Sequence, residues 1–353
     1  MNRVDLPEII VIGAGGVGVI SALSLFLRGK SQVSLVVRSD YEHVKEFGYE
    51  IDSCDYGQLN NWRPHGFFKS VKDASESGKF FEYVVVTTKN IPDGPEGSSV
   101  ADVIRCIVES NGKLCPERQT NILLVQNGID IEKDLYAKFD CGDGKVVVLS
   151  GTQLIGSTKI GKGVIRQIGQ DHILVGPFEK QNKAAVDAAK RFIDLYRNED
   201  RNLVVFDENV RYTRWRKLIY NSVIATTTAL VGMDVSRCLQ FGVGGISTEE
   251  EIFKPGMREI IAIAASEGIE LDEECITFFC DISRKREYKP SMCVDCENGQ
   301  LMELEVILGN PLKIARQNGV STPVLSLIYN MLFMVQNKLK EQKGYIKFEL
   351  DKD

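Results

Sequence analysis

The chain has 353 residues, 43% of them hydrophobic and 26% charged, with a net charge of −6. That length suits two domains better than one core, and the composition is that of a globular protein. An acidic balance without a long Lys/Arg cluster argues against nucleic acid as a partner. No apolar run reaches the roughly 20 residues that cross a bilayer. Met1 to Pro7 lacks the basic start and apolar stretch of a signal peptide, so a cytoplasmic location is expected. The nine cysteines are scattered, and three histidines (His43, His65, His172) are too few to complete a structural zinc site around Cys293 and Cys296. They read as reduced thiols of a reducing compartment, with modest oxidant sensitivity expected at that C-x-x-C pair and no metal.

In chain order, Ile9 to Ile12 is a short apolar run ending in glycine, and a helix pattern follows from Gly16 to Leu27. Gln32 to Val37, Tyr83 to Val86, Asn121 to Val125 and Val146 to Leu149 read as further strands. A breaker-rich loop, Ile91 to Ser99, interrupts them. From Thr152 to Val175, Gly156, Gly161, Gly163 and Gly169 punctuate short alternating segments, which predicts antiparallel hairpins appended to the sheet. After Phe206 the signals turn helical. Asp207-Glu208 caps a predicted long helix to about Leu230. More helices are expected over Lys254 to Glu267, Asp272 to Ser283, Gln300 to Asn318 and Val324 to Lys340. Gly268 and Gly319 stand at C-cap positions.

Gly13-Ala14-Gly15-Gly16-Val17-Gly18 is G-x-G-x-x-G between an apolar strand and a helix. Its first glycine permits the tight turn, the second the approach of a pyrophosphate, the third close helix–strand packing. The hexapeptide alone also fits a plain structural turn, but its place in a strand–helix–strand unit favours dinucleotide binding. The fold class is therefore α/β, with an N-terminal Rossmann-type doubly wound sheet over 1–206 and an all-helical C-terminal domain over 207–353. Twenty residues after Gly18 stands Arg38, where an arginine accommodates the 2′-phosphate of NADP; Asp40 close by complicates that choice, and Arg38 also fits a solvated surface. Lys89 and Gln126-Asn127-Gly128 follow strand ends, where ligands collect in open α/β sheets, though Asn-Gly is equally a turn signal. Lys217 and Asn221, four apart in the long helix, share a face from which a lysine and an amide can polarise a carbonyl and bind a carboxylate. Spacing alone favours an exposed lysine on a solvated face.

These residues, with Gly151-Thr152 and Gly156, Trp215, Ser291-Met292, Asp295 and Glu303, resemble the ketopantoate reductase family essentially end to end. The resemblance implies NADPH-dependent reduction of a small 2-oxo acid, ketopantoate first, in pantothenate biosynthesis, at a site in the cleft between two domains. It makes Lys217 the proton donor and places Glu303 beside the reacting centre and the nicotinamide ribose. Asn127, Asn221, Ser291 and Asp295 are then substrate-binding. Gly13, Ala14, Gly15, Gly16, Val17, Gly18, Arg38, Lys89, Gln126, Asn127, Gly156 and Glu303 are cofactor-binding. Two positions depart from the family pattern, Ala225 and Val235, each standing where substrate-binding asparagines are usual. A different 2-oxo acid, or a sensor that binds the dinucleotide without turnover, stays open beside the leading reading, and so does a homodimer.

Overall fold

The structure, a computed structural model, describes residues 6–241, 244, 247–284 and 287–350; residues 1–5 of the Met1–Pro7 segment lie outside them. The chain packs as two compact units. One comprises Met1–Thr88, Ser99–Gln126 and Ile131–Val210, the other Lys89–Ser98, Asn127–Asp130 and Arg211–Asp353.

The first unit is built on a ten-stranded mixed sheet. Its strands are β1 (Glu8–Ile12), β2 (Gln32–Val36), β3 (Tyr49–Ser53), β4 (Gly57–Trp62), β5 (Gly66–Phe68), β6 (Tyr83–Val86), β7 (Thr120–Leu124), β8 (Val146–Gly161), β9 (Val164–Pro177) and β10 (Leu203–Phe206). The spatial order is β4-β3-β9-β8-β7-β6-β1-β2-β5, with β10 paired to β9. β5, β2, β1, β6, β7 and β8 run parallel, the arrangement expected of strands joined by helical crossovers. Ile9, Ile10 and Val11 of β1 are fully buried, as in a strand covered on both faces.

Two expectations are corrected here. Thr152 to Val175 is not a set of short hairpins, because β8 and β9 pair as one long antiparallel ribbon. Gly156 and Gly161 stand at register shifts, and Gly163, with a left-handed φ of +66°, lies in the turn that joins the two strands. The β3–β4 hairpin and β5 were also not anticipated. β3 alternates strictly between buried and exposed residues, but only Tyr49 and Ile51 in it are apolar, and β4 is mostly polar.

Within this unit a buried polar network anchors the Gly16–Arg28 helix. Ser24 Oγ donates to Tyr196 O at 2.8 Å and accepts from Asn202 Nδ2 at 2.8 Å and Tyr56 OH at 3.1 Å. Tyr196 OH donates to Asp171 Oδ2 at 2.7 Å, and Gln153 Nε2 donates to Oδ1 at 2.6 Å. Asp171 is fully buried, and burial, reinforced by the Asp55 charge, pushes its carboxyl above the usual carboxylate range despite those bonds.

The second unit is helical. Val210–Tyr220 and Thr226–Val231 are joined through a π turn at Asn221–Ala225 into one continuous rod, close to the long helix expected. Asp207 accepts the Asn209 N–H at 2.9 Å in the turn just before it. Lys254–Ser266, Glu274–Arg284, Ser291–Glu297, Asn310–Asn318 and Pro323–Gln342 follow. Gly319 caps its helix at φ +70°. The helix expected from Gln300 starts late, because Leu301 to Glu303 lie outside any helix or strand. Met302 N–H and C=O are both taken by the Gln336 side chain, at 3.0 Å each, so they cannot enter a helical ladder. Among the described residues no single helix is long and apolar enough to cross a membrane.

A carboxyl with a raised pKa lowers stability as pH climbs from the unfolded value of about 3.9 towards the folded one. Asp171→Asn keeps an acceptor for Gln153 and lets the Tyr196 hydroxyl accept instead of donate. Thermal melts across pH 4 to 8 should therefore show this variant gaining on the parent as pH rises. A constant deficit at every pH would contradict the assignment.

Candidate active site

In the first unit, β1 delivers the chain into the glycine loop. Gly13 has φ +119°, a conformation closed to ordinary side chains, and a Cβ there would lie 2.6 Å from Thr87 Oγ1. Thr87 Oγ1 bonds Gly13 O at 3.1 Å and Ile12 O at 3.2 Å, tying the end of β6 to the loop. A Cβ on Gly18 would fall 1.8 Å from Gly13 O, and one on Gly16 would fall 2.5 Å from Ser157 C and O. A Cβ on Gly15 would meet nothing within 4 Å. Ala14 and Val17 are half-buried between them. The loop thus has tight packing where strand and helix meet and open space where a pyrophosphate approaches, and no acidic side chain stands in the first turn of the helix. These residues fit a dinucleotide.

Arg38 follows β2 and is exposed. Asp40 is buried and committed elsewhere. It accepts from Lys159 Nζ at 3.0 Å, Ser39 Oγ at 2.9 Å and Gly163 N at 3.2 Å, and although burial opposes them, these partners hold its carboxyl below the usual range. The carboxylate that complicated the choice between cofactors is therefore satisfied by the protein. Gly156 pairs with Gly169 across β8 and β9, and a Cβ there would lie 3.1 Å from Gly169 N. Gln126 is buried and donates to Thr88 O at 2.7 Å.

The second unit gathers the charged residues. Glu303, only 3% exposed, accepts from Asn90 N at 3.0 Å and from Asn127 Nδ2 at 2.9 Å, with Lys89 Nζ 3.7 Å away. Lys89 also pairs with Asp295 Oδ2 at 2.6 Å. Burial works against the Lys89 ammonium, but Glu303 and Asp295 together raise its pKa. Asp295 is raised by burial, with Lys89 opposing. Lys89 thus stands between two carboxylates, which any phosphate would have to displace.

Lys217 behaves in the opposite way. Burial, then the positive charge of Arg214, brings its amine down to about 8, with Glu303 opposing and Lys89 assisting. The Arg214 guanidinium is itself fixed to Gly128 O at 3.0 Å. Asn221 opens the π turn, which inserts an extra residue and changes the phase of the helix from Ala225 onward. Ser222 Oγ in that turn donates to Ile307 O at 2.9 Å, within a second π turn, Glu305–Gly309, that begins two residues after Glu303. Trp215 is fully buried and donates to Glu267 Oε2 at 3.0 Å. Ser291 is exposed at the start of its helix. Asn90, Arg214 and Gln336 were not singled out from sequence; Asn90 acts through its main-chain N–H, which leaves no side-chain signature. Burial pushes the Cys293 thiol up to about 11, which lowers its thiolate fraction at neutral pH.

The family described as Ketopantoate reductase PanE/ApbA matches residues 9–180, and its C-terminal part matches residues 209–336. The chain belongs to the ketopantoate reductase family. It is 60% identical over 347 residues to Uncharacterized protein YDL144C of Saccharomyces cerevisiae, covering 98% of each chain. Crystalline 2-dehydropantoate 2-reductase from Methylococcus capsulatus shares 29% identity at a TM-score of 0.76, over 94% of this chain and 97% of that one. The D-mandelate dehydrogenase solved with NADH and anilino(oxo)acetate shares the fold, at 20% identity and a TM-score of 0.75, over 94% and 99% of the two chains. The chain is accordingly an NADP-dependent oxidoreductase of the CH–OH class, of a family that reduces 2-oxo acids.

Lysine-selective labelling read by mass spectrometry should give Lys217 a midpoint near pH 8. Because Glu303 holds that amine up, Glu303→Gln should move the midpoint lower still. An unchanged or higher midpoint would separate the two residues electrostatically.

Proposed function

We propose that the protein reduces a small 2-oxo acid to its 2-hydroxy acid with NADPH, ketopantoate being the first candidate, and that Lys217 is the general acid. The observation that carries this reading is a lysine brought to about 8 by burial in the same unit as a buried, hydrogen-bonded glutamate. At neutral pH such an amine is still largely protonated, yet it gives up its proton more readily than an ordinary lysine. Bound NADPH supplies hydride to the ketone carbon, and charge develops on the ketone oxygen. Lys217 neutralises that charge and delivers the proton, an electrostatic and acid role in one group. Glu303 orients the lysine and the nascent hydroxyl and meets the nicotinamide ribose, while Asn127, Asn221, Ser291 and Asp295 hold substrate.

For the cofactor, residues Gly13 to Gly18 take the pyrophosphate, Arg38 takes the 2′-phosphate, and Lys89, Gln126, Asn127 and Gly156 complete the set. Satisfaction of Asp40 by Lys159 supports NADPH over NADH, since it removes a carboxylate that would repel the extra phosphate. A cytoplasmic place in pantothenate biosynthesis and a homodimeric assembly belong to the same reading.

A second substrate is favoured by Ala225 and Val235, which are 3% and 1% exposed. Where amides are usual, these positions carry apolar side chains, and a site lacking a hydrogen-bonding group discriminates differently among polar substrates. The rival is a reductase for a more apolar 2-oxo acid.

NADPH oxidation followed across a panel of 2-oxo acids decides between them by kcat/KM. Lys217→Ala should lower kcat by about 10²-fold or more with NADPH binding retained, the usual size of a lost general acid. For the parent, kcat/KM should fall as pH rises through about 8, where the proton donor is lost. Arg38→Ala should raise the KM for NADPH by roughly tenfold and leave NADH unaffected, as removal of a charge-assisted phosphate contact implies. Turnover that survives Lys217→Ala, or a parent that binds NADPH without reducing any acid, would overturn the assignment.

A further inference from the structure

Along the Pro323–Gln342 helix the buried stripe runs Leu325, Ile328, Leu332, Gln336, Leu339. Four are apolar, as an amphipathic helix requires, and one is an amide with no exposed surface. Burying an amide there is costly unless its hydrogen bonds are made. Gln336 makes three. Its Oε1 accepts the Met302 N–H at 3.0 Å, and its Nε2 donates to Met302 O at 3.0 Å and to Asp93 Oδ2 at 3.1 Å. Lys340, one turn on and largely buried, pairs with the same Asp93 oxygen at 2.7 Å.

We infer that Gln336 is a positioning residue: its amide clamps the irregular segment before Glu303 to the Lys89–Ser98 loop and so sets where the Glu303 carboxylate stands. Bonded at both its N–H and its C=O, Met302 is held as though in a β-bridge, and helix can begin only at Leu304. Glu303, next in the chain, then reaches Asn90 N at 3.0 Å and Asn127 Nδ2 at 2.9 Å. Asn90 lies three residues before Asp93, so the contacts close into a ring from Gln336 through Met302, Glu303, Asn90 and Asp93 back to Gln336. Breaking one link of such a ring loosens first the groups on either side of it, because each contact fixes the geometry of the next.

The part of this inference that concerns turnover rests on the reductase reading above; the part that concerns geometry does not. Hydrogen exchange by mass spectrometry on the full chain measures the geometry directly. Gln336→Met, close in volume, should speed exchange at the Asn90 amide and at Met302 by about tenfold or more, the scale of one lost buried hydrogen bond. Asp93→Ala leaves the Met302 bonds in place, so it should loosen the loop peptide while Met302 stays protected. It serves as the second probe if Gln336→Met does not fold. In turnover, Gln336→Met should lower kcat with less than about a threefold change in the KM for NADPH. In a Glu303→Gln background the same change should cost under about twofold, since the two act in one unit. Unchanged exchange at Asn90 in folded Gln336→Met, protection at Asn90 surviving Asp93→Ala, or losses that multiply across the two sites would each overturn the role. A parent without reductase activity would sink the functional reading and leave the exchange result to decide the clamp.

Discussion

A carboxylate that is 97% out of solvent must be compensated within the protein or not be ionised at all, and Glu303 is such a group. It receives a main-chain N–H from Asn90, an amide from Asn127 and the charge of Lys89. Much of the second unit's local structure follows from supplying these. The segment around Met302 stays outside the helix, so that the glutamate projects from a fixed point rather than from a helical turn. The segment Asn127–Asp130 is fastened on both sides, with Ile129 N bonded to Val306 O at 3.0 Å and Arg211 Nη1 to Asp130 Oδ1 at 2.9 Å. Gly128, at φ +96°, is where Val306 comes too near for any Cβ.

Around that carboxylate two lysines are driven in opposite directions by the same physics. Lys89 has two carboxylates beside it and is held firmly protonated. Lys217 has burial and a neighbouring guanidinium, and its amine falls to about 8. Groups whose environments separate their proton affinities in this way are how a single site divides charge balance from proton transfer. In the proposed mechanism this difference lets Lys89 balance the charge of Glu303 while Lys217 transfers the proton.

The first unit shows a comparable economy with Asp40. A carboxylate two residues beyond Arg38 would weaken any site for an added phosphate, yet Lys159 from the β8–β9 ribbon pairs with it at 3.0 Å. The ribbon therefore does more than extend the sheet. It neutralises Asp40, and at Ser157 it abuts the helix that follows the glycine loop so closely that only glycine fits at Gly16.

Much of this was written locally. The apolar run before Gly13, the spacing of the glycines and the 3.6-residue stripes of the C-terminal helices each depend on neighbours within a turn or two, so a short window of sequence determined the α/β class, the dinucleotide loop and most helices. Departures came where distant segments override local preference. Gln300 to Glu303 has a helical pattern but is not helical, because Gln336 captures Met302. β3 pairs with β9, more than a hundred residues away, though its own sequence has two apolar residues and no continuous apolar run to announce a strand. The partners of Glu303 at Asn90 and Asn127 are separated from it by 213 and 176 residues. The proton affinity of Lys217 is set by burial and by charges that no spacing reveals. Sequence determined which residue types were present and which faces they share; tertiary structure alone decided which carboxylate meets which amine, because Coulomb and desolvation energies depend on distance in space and not along the chain.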